Sequence, residues 1–441
     1  MLSRRGIAIN KQDVENELVK MQNELTVQPI ANEYQPDMKY KVYLESENYI
    51  VTPRNYPPAQ RYVTSSKLED GDAIDCEFNG RLNKDTYQHE ASDNVLDGLH
   101  TKGSGILNLP TGYGKTTVAL YILSQIKQKT LIVVHKEFLM NQWFEKINHF
   151  LPNMKVGKIQ GNVIDVQDKD IVIGMLQSLS KKEYERENFD GFGLTIIDEV
   201  HHVCTKSFSR FLLKYNTKYL LGLSATIERK DGLTHVLHWF LGDVLYKQER
   251  VNKTDVTIVK VSIKDESYAT EKFPVNRMGK PNFPEAINKI TELQFRNDVI
   301  LQIVTNCLCE QRRILILTDR RAHCEHLCHT MTDIKCGLYL GGMKQADLEK
   351  SEQCDVLVGT YALANEGLDI PILDTLILAT PKSDVIQSVG RILRETKDKK
   401  NSPIVYDLVD TWGTFKYQFY KRNKFYTHSG FKMKYEEPSS R

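Results

Sequence analysis

The sequence predicts two tandem α/β lobes, each built on a doubly wound parallel sheet, behind a small N-terminal α+β domain. Three observations predict this fold class. Short apolar runs bounded by turn residues recur as "TLIVVH", "DIVIGM", "LTIIDE" and "YLLGLSAT". A second series follows as "RILILTD", "CGLYLGG", "DVLVGT", "DTLILAT" and "PIVYDLVD". Longer periodic stretches such as "KEFLMNQWFEKINHFL" lie between the runs, so strands alternate with crossover helices in a βαβ rhythm. The length agrees, because 441 residues exceed one typical domain and a hydrophobic fraction of 41% is enough for several cores.

Taken in order, residues 1–80 hold a helix-like stretch, "DVENELVKMQNEL", and a β-like one, "YKVYLESENYIVTP", with no chemistry legible in either. Residues 81–250 are the first lobe. Residues 251–292 include "KFPVNRMGKPNFPEAINK", whose three prolines and Gly279 predict a linker or small irregular insertion. Residues 293–410 are the second lobe, and lobes joined in this way leave a cleft. Residues 411–441 form a basic and aromatic C-terminal extension.

The formal net charge of +2 is the difference between 59 basic and 57 acidic residues, so any surface for a polyanion must come from local clustering. The longest apolar runs have the length of buried strands, and the N-terminus lacks a signal-peptide core, which predicts an intracellular protein with no membrane segment. Eight cysteines without framework-like spacing fit a reducing compartment. Cys307, Cys309, Cys324, Cys328 and Cys336 are interleaved with His323, His326 and His329. No C-x-x-C pair occurs among them, and zinc is not expected.

The chemistry begins at "LNLPTGYGKTTVAL", an apolar run ending in a glycine-lysine-threonine turn and resuming with helix formers. The strict phosphate-loop pattern wants a glycine where Leu109 stands. The chemical requirement is narrower: inward backbone N–H groups, a lysine for the β and γ phosphates, and a hydroxyl for magnesium. Gly112, Gly114, Lys115 and Thr116 meet it, at the positive end of the helix that follows. A second signature, "LTIIDEVHH", puts Asp198 and Glu199 at the carboxyl edge of a strand, where open α/β sheets bind ligands. Aspartate there can hold Mg2+ partly through water, and the adjacent glutamate can orient and deprotonate the attacking water. Together the two signatures predict an ATPase using ATP and Mg2+.

From about Arg81 to the C-terminal end, the chain resembles superfamily 2 helicases and translocases, whose lobes are RecA-like. "RLNKDTYQHEA" is similar to the family's adenine-reading segment, which implies that Gln88 recognises the base. "LPTGYGKT" resembles its phosphate loop, which often lacks the first glycine. "VVHKEFLMNQW" and "IVIGMLQSL" resemble its strand-tracking motifs, which implies nucleic-acid contacts by His135, Gln177 and Ser178. "DEVHH" resembles the magnesium and water motif and "LSAT" the coupling motif, so His201, Ser224 and Thr226 are implied to link nucleotide state to the bound strand. In the second lobe, "LILTD" and "VGTYALANEGLDIP" imply nucleic-acid contacts by Thr318 and Thr360 and a nucleotide contact by Asp369. "QSVGRILR" implies Gln387 at the nucleotide and Arg391 and Arg394 on the transition-state charge.

Val200 and His201 after the acidic pair, and Gln387 opening the last motif, depart from the DEAD-box pattern. "DEVHH", "LSATIERKDGLT" and "GRILR" resemble instead the double-stranded-DNA translocase branch of the XPB type. They are closer still to the DNA-dependent ATPases of large cytoplasmic DNA viruses, of the poxvirus transcript-release type; "VTPRNY" and the C-terminal stretch add to that likeness. This implies DNA as partner, with low sequence preference, and RNA polymerase or other transcription or repair proteins as further partners. It also implies the host cytoplasm and the virion as locations. The alternatives left open are an ATP-gated clamp that separates no strands, and RNA as the natural strand.

The tail supports two readings. From Thr411 to Tyr435 no acid occurs, while Lys416, Lys421, Arg422, Lys424, Lys432 and Lys434 alternate with nine aromatic residues. Such a segment either neutralises phosphates and stacks on bases, or packs its aromatics on the second lobe with its lysines in water.

Overall fold

In the computed structural model, residues 1–30, 39–83, 87–200, 206–229, 231–249, 255–264, 272–363, 368, 370–393 and 399–438 are described. The chain forms two compact units, Met1–Glu249 and Arg250–Arg441.

The first unit opens with six short strands: β1 (Leu2–Ser3), β2 (Gly6–Asn10), β3 (Thr26–Val27), β4 (Tyr40–Lys41), β5 (Leu44–Glu45) and β6 (Tyr49–Thr52). Four of them make an antiparallel sheet in the order β1-β2-β6-β5, while β3 pairs with β4. The short helix Leu18–Glu24 supplies the α part, and Ile7, Ile9, Met21, Leu25 and Ile50 are buried. These side chains belong to the same apolar cluster as Val200, Phe211, Leu237 and Phe240 of the first lobe, so residues 1–80 share its core.

The "VTPRNY" stretch makes that junction. Buried Arg54 donates to the carbonyls of Thr217 (3.0 Å) and Lys218 (3.4 Å), and Asn55 donates to Ser104 Oγ (3.0 Å) and the Phe240 carbonyl (3.1 Å). Tyr56 meets Trp239 edge to face at 5.1 Å.

The first lobe is an eight-stranded sheet in the order β10-β9-β11-β8-β12-β13-β7-β14, comprising β7 (Ser104–Asn108), β8 (Thr130–Val134), β9 (Val156–Gln160), β10 (Val163–Ile164), β11 (Ile171–Met175), β12 (Leu194–Ile197), β13 (Tyr219–Ser224) and β14 (Val244–Lys247). All pairings are parallel except β10 with β9. β7, β8 and β12 are buried along their whole length, as continuous apolar runs must be when helices cover both faces of a parallel sheet. Helices Lys115–Ile126 and Glu137–Phe150 are two of these crossovers.

The second unit carries a seven-stranded, wholly parallel sheet in the order β17-β18-β16-β19-β20-β15-β21. Its strands are β15 (Thr257–Ile263), β16 (Ile314–Thr318), β17 (Cys336–Tyr339), β18 (Val356–Thr360), β19 (Thr375–Leu378), β20 (Ile404–Asp410) and β21 (Lys432–Glu436). Five match the second apolar series. The other two, β15 and β21, lie in the segments expected to be linker and extension. "TIVKVSI" is β-branched at five of seven positions and pairs along its full length with β20, which accounts for a strand where the nearby prolines predicted irregular chain.

The C-terminal helix Gly413–His428 is part of this unit too. Phe415, Phe419, Arg422 and Tyr426 are its buried face. Arg422 forms a bidentate pair with fully buried Asp407 (2.8 and 2.7 Å), to which Tyr426 also donates at 3.0 Å. A second buried pair joins Arg296 to Asp410 at 2.8 Å. Among the described residues no helix is long and apolar enough to cross a membrane.

Candidate functional site

The phosphate loop leaves the carboxyl end of β7 and enters the helix Lys115–Ile126. Gly112 and Gly114 have φ of 86° and 77°, in the left-handed region that side chains disfavour. Gly114 is also needed for space, since a Cβ there would stand 2.8 Å from Gln88 Nε2. It caps the helix without a side-chain acceptor, so the first-turn N–H groups point to the loop as an anion site does. Leu109, where the strict pattern wants glycine, is fully buried, and its carbonyl accepts from Lys115 Nζ at 3.1 Å. The position therefore anchors the loop in the core and needs no special backbone angle. Thr116 follows in the first turn.

Gln88 begins the helix Gln88–Lys102 and accepts from the Asn83 N–H at 2.9 Å, which places the adenine-reading candidate against the phosphate loop. Beside it, Tyr87 stacks on Tyr113 at 5.2 Å and donates to the Tyr113 carbonyl at 2.8 Å.

The acidic pair ends β12. The Asp198 N–H continues the ladder to the Val133 carbonyl at 3.0 Å, which fixes where the carboxylate emerges. One carboxylate oxygen accepts from the Glu199 N–H at 2.9 Å and the other from Trp143 Nε1 at 2.9 Å. Burial, and then the neighbouring Glu199, push the Asp198 carboxyl up to about 6, against the lowering pull of Trp143 and Lys115. A hard divalent cation would relieve that cost, and a carboxylate and a threonine hydroxyl are oxygen donors of the kind Mg2+ takes. Glu199 has a φ of 49°, an uncommon conformation for a glutamate and one that turns the chain sharply after the strand. His201 lies outside the described residues.

Ser224 ends β13, next to β7 in the sheet. Its carbonyl accepts from Asn108 Nδ2 (3.0 Å) and the Leu109 N–H (3.1 Å), and its hydroxyl donates to the Thr226 carbonyl (2.5 Å). The "LSAT" stretch is thus tied directly to the base of the phosphate loop.

The candidates for nucleic-acid contact fall in two groups, one in each unit. His135 and Gln177 follow the adjacent parallel strands β8 and β11, where Gln177 Nε2 donates to the His135 carbonyl at 2.5 Å. Ser178 accepts from the Gly161 N–H at 2.9 Å. In the second unit Thr318 and Thr360 are register partners at the carboxyl ends of β16 and β18. Thr318 is fully buried and shares its hydroxyl with His323 Nδ1 at 2.9 Å, so here it braces the strand end; Thr360 is half-buried.

Gln387 and Arg391 lie on the helix Ile386–Ile392, with Arg391 buried and donating from Nη1 to the Leu368 carbonyl at 2.8 Å. Asp369 and Arg394 are outside the described residues. In the cysteine-histidine cluster, His323 bonds Thr318 and Asn297, and burial pushes the Cys307 thiol up to about 11 and Cys324 to about 12. Among the described residues no group of three or more such side chains could hold a metal.

Trp143, Asn108 and the Tyr87–Tyr113 pair escaped the sequence reading. Trp143 is one aromatic of a helix whose periodicity marks it only as core, and nothing local shows which strand end its N–H meets.

A glycine turn at a helix start, an acidic pair at the next strand but one, and tandem parallel-sheet units define a two-lobed phosphate-loop ATPase. The comparisons narrow the class. Residues 81–229 match the family model described as "Type III restriction enzyme, res subunit", and residues 296–396 match "Helicase conserved C-terminal domain". A protein of Acanthamoeba polyphaga mimivirus named as an ATP-dependent RNA helicase is 34% identical over 99% of this chain and 88% of its own length. One of Invertebrate iridescent virus 6 named as a helicase is 30% identical over 81% and 83%, and one of Escherichia phage T5, also named as a helicase, is 27% identical over 74% and 72%. The chain belongs to the superfamily 2 helicases and is an ATP-dependent helicase of the kind that large DNA viruses carry.

Proposed function

We propose that the chain is a DNA translocase or helicase of the XPB-like, viral transcript-release type. In this reading Lys115 holds the β and γ phosphates, Gln88 and Gln387 contact the nucleotide, and Glu199 orients and deprotonates the attacking water. Thr116 and, partly through water, Asp198 would hold Mg2+, which would supply charge neutralisation at the phosphates. Arg391 and Arg394 act on the charge of the transition state, Asp369 on the nucleotide, and His201 with Ser224 and Thr226 on coupling. His135, Gln177, Ser178 and Thr360 are the proposed contacts to the strand backbone.

The observation that carries the reading is the clamp of Asn108 and Leu109 on the Ser224 carbonyl. Any shift of the phosphate loop on nucleotide binding or loss pulls on "LSAT", which is what a motor must do and a passive nucleotide site need not. DNA is chosen over RNA because "DEVHH", "LSATIERKDGLT" and "GRILR" resemble DNA translocases. RNA is a second reading, favoured by the name of the mimivirus relative. Transcript release or repair and recombination is the proposed setting.

The test is ATP hydrolysis by the purified chain alone and with single-stranded DNA, duplex DNA or RNA, at two salt concentrations. Stimulation by DNA and not RNA is the expected result; stimulation by RNA alone overturns the DNA assignment. Lys115→Ala should weaken ATP binding itself, and unchanged affinity would remove Lys115 from the phosphates.

A further inference from the structure

The C-terminal helix Gly413–His428 has two faces of opposite character. At about 100° per residue, Phe415, Phe419, Arg422 and Tyr426 fall on one stripe, and all four are buried. Lys416, Tyr417, Tyr420, Lys421 and Lys424 fall on the other, within an arc of about 140°. Tyr417 and Tyr420 are 60% and 62% exposed, although tyrosine is a costly residue to leave in water at two neighbouring helix positions. Lys421 Nζ lies 4.9 Å from the centre of the Tyr417 ring, so a cation and an aromatic plane are already set side by side. Lys416 and Lys424 have no ion-pair partner among the described residues, and the chain carries no acid from Thr411 to Tyr435.

Packing explains the buried stripe, where the Arg422–Asp407 pair and the buried aromatics hold the helix on the sheet. On the other face Tyr420 adds a tilted ring contact with Phe419 at 6.3 Å, and most of both tyrosine side chains stays in water. Two exposed rings one helical turn apart, framed by three lysines with no acid near them in sequence, match unpaired bases with a phosphate backbone alongside. A duplex hides its base faces and would leave the rings without partners.

We infer that the face formed by Lys416, Tyr417, Tyr420, Lys421 and Lys424 is a binding site for single-stranded nucleic acid, with the tyrosines stacking on bases and the lysines on phosphates. The inference rests on the reading of the chain as a nucleic-acid motor and gives it a contact that none of its sequence motifs contains. Stacking and phosphate contact are common to DNA and RNA, so the test has an arm for each.

The full chain, without nucleotide, is titrated into labelled oligo(dT) and oligo(rU) of about 20 nucleotides, longer than one stacking platform needs, and into a blunt duplex. Tyr417→Ala with Tyr420→Ala should weaken single-strand binding by about 5-fold or more per ring, while Tyr417→Trp with Tyr420→Trp retains it. Lys416→Gln, Lys421→Gln and Lys424→Gln together should lower the slope of log affinity against log salt by about 2, at about 0.7 per phosphate contact. ATP hydrolysis without nucleic acid should be unchanged in all of these variants.

Single-strand binding equal to wild type in the double alanine variant overturns the inference and leaves the motor reading standing. Tight single-strand binding that depends on both tyrosines, without stimulation of ATP hydrolysis by single strands, duplex DNA or RNA, upholds the site and overturns the motor reading. Binding to the duplex alone, or to none of the probes, overturns the site. A preference between oligo(dT) and oligo(rU) identifies the polymer.

Discussion

Glu199 is held with its backbone in the left-handed region, one residue after an aspartate whose two oxygens are already hydrogen-bonded. In the proposed reading the two carboxylates differ in role, with Asp198, fixed by its two hydrogen bonds, facing the cation and Glu199 acting as the base. Replacing Glu199 by Gln keeps size and shape and removes the base. The expected result is unchanged ATP affinity with turnover lower by about 10²–10⁴-fold, read by single-turnover hydrolysis. Retained turnover would take Glu199 out of that role.

Trp143 acts through Asp198. Because burial raises the Asp198 carboxyl, the folded chain binds a proton there more tightly than the unfolded chain does. Ionised Asp198 therefore costs stability at neutral pH, and that cost is relieved as pH falls through about 6 toward the unfolded value. If Asp198 holds Mg2+ as proposed, protons and the metal would compete for the carboxylate, so the Mg2+ requirement for ATP hydrolysis should rise below about pH 6 and the acid limb should move to lower pH as Mg2+ is raised. Trp143→Phe keeps the ring in the core and removes the donor, so the limb should move to higher pH. A limb at the same pH in the variant would show that the 2.9 Å contact does not act on Asp198.

At the scale of elements, the phosphate-loop turn and the C-terminal helix are held by different means. The turn depends on backbone freedom. Gly114→Ala forces a Cβ into a φ of 77° and against Gln88, which costs about 1–2 kcal/mol and should fall on nucleotide binding more than on folding. Isothermal titration with ATP beside a melting curve reads the two separately.

The C-terminal helix depends on a buried charge pair. Arg422→Leu leaves the Asp407 charge in the core without its counter-ion and should cost about 3–5 kcal/mol in chemical denaturation, while the double change of Arg422 and Asp407 to leucine should recover most of it. Neither the pair nor the place of β21 was legible in sequence. An arginine among lysines reads as one more surface charge, and a five-residue strand with four exposed positions has no apolar run to announce it.

At the scale of the molecule, residues 1–80 share one apolar cluster with the first lobe and dock through Arg54, Asn55 and Tyr56. Cutting the chain at Arg81 would bare Leu237, Phe240 and Trp239. The truncated protein should therefore melt at lower temperature and aggregate, and a soluble, fully folded fragment of unchanged melting temperature would refute the shared core.

The sequence by itself determined the two βαβ series, the phosphate-loop turn, the acidic pair and the family, because each is written in local runs whose period or residue types admit few structures. It also carried Gly112 and Gly114 by type, since a turn of that kind needs backbone angles that side chains resist. Only the tertiary structure decided that β15 and β21 complete the second sheet, that Trp143 holds Asp198, that Asn108 ties the phosphate loop to Ser224, and that Tyr417 and Tyr420 face outward while Phe415 and Phe419 do not. Those are contacts between residues far apart in the chain, or choices between two faces of one helix. They follow from how elements pack, and no window of sequence contains both partners.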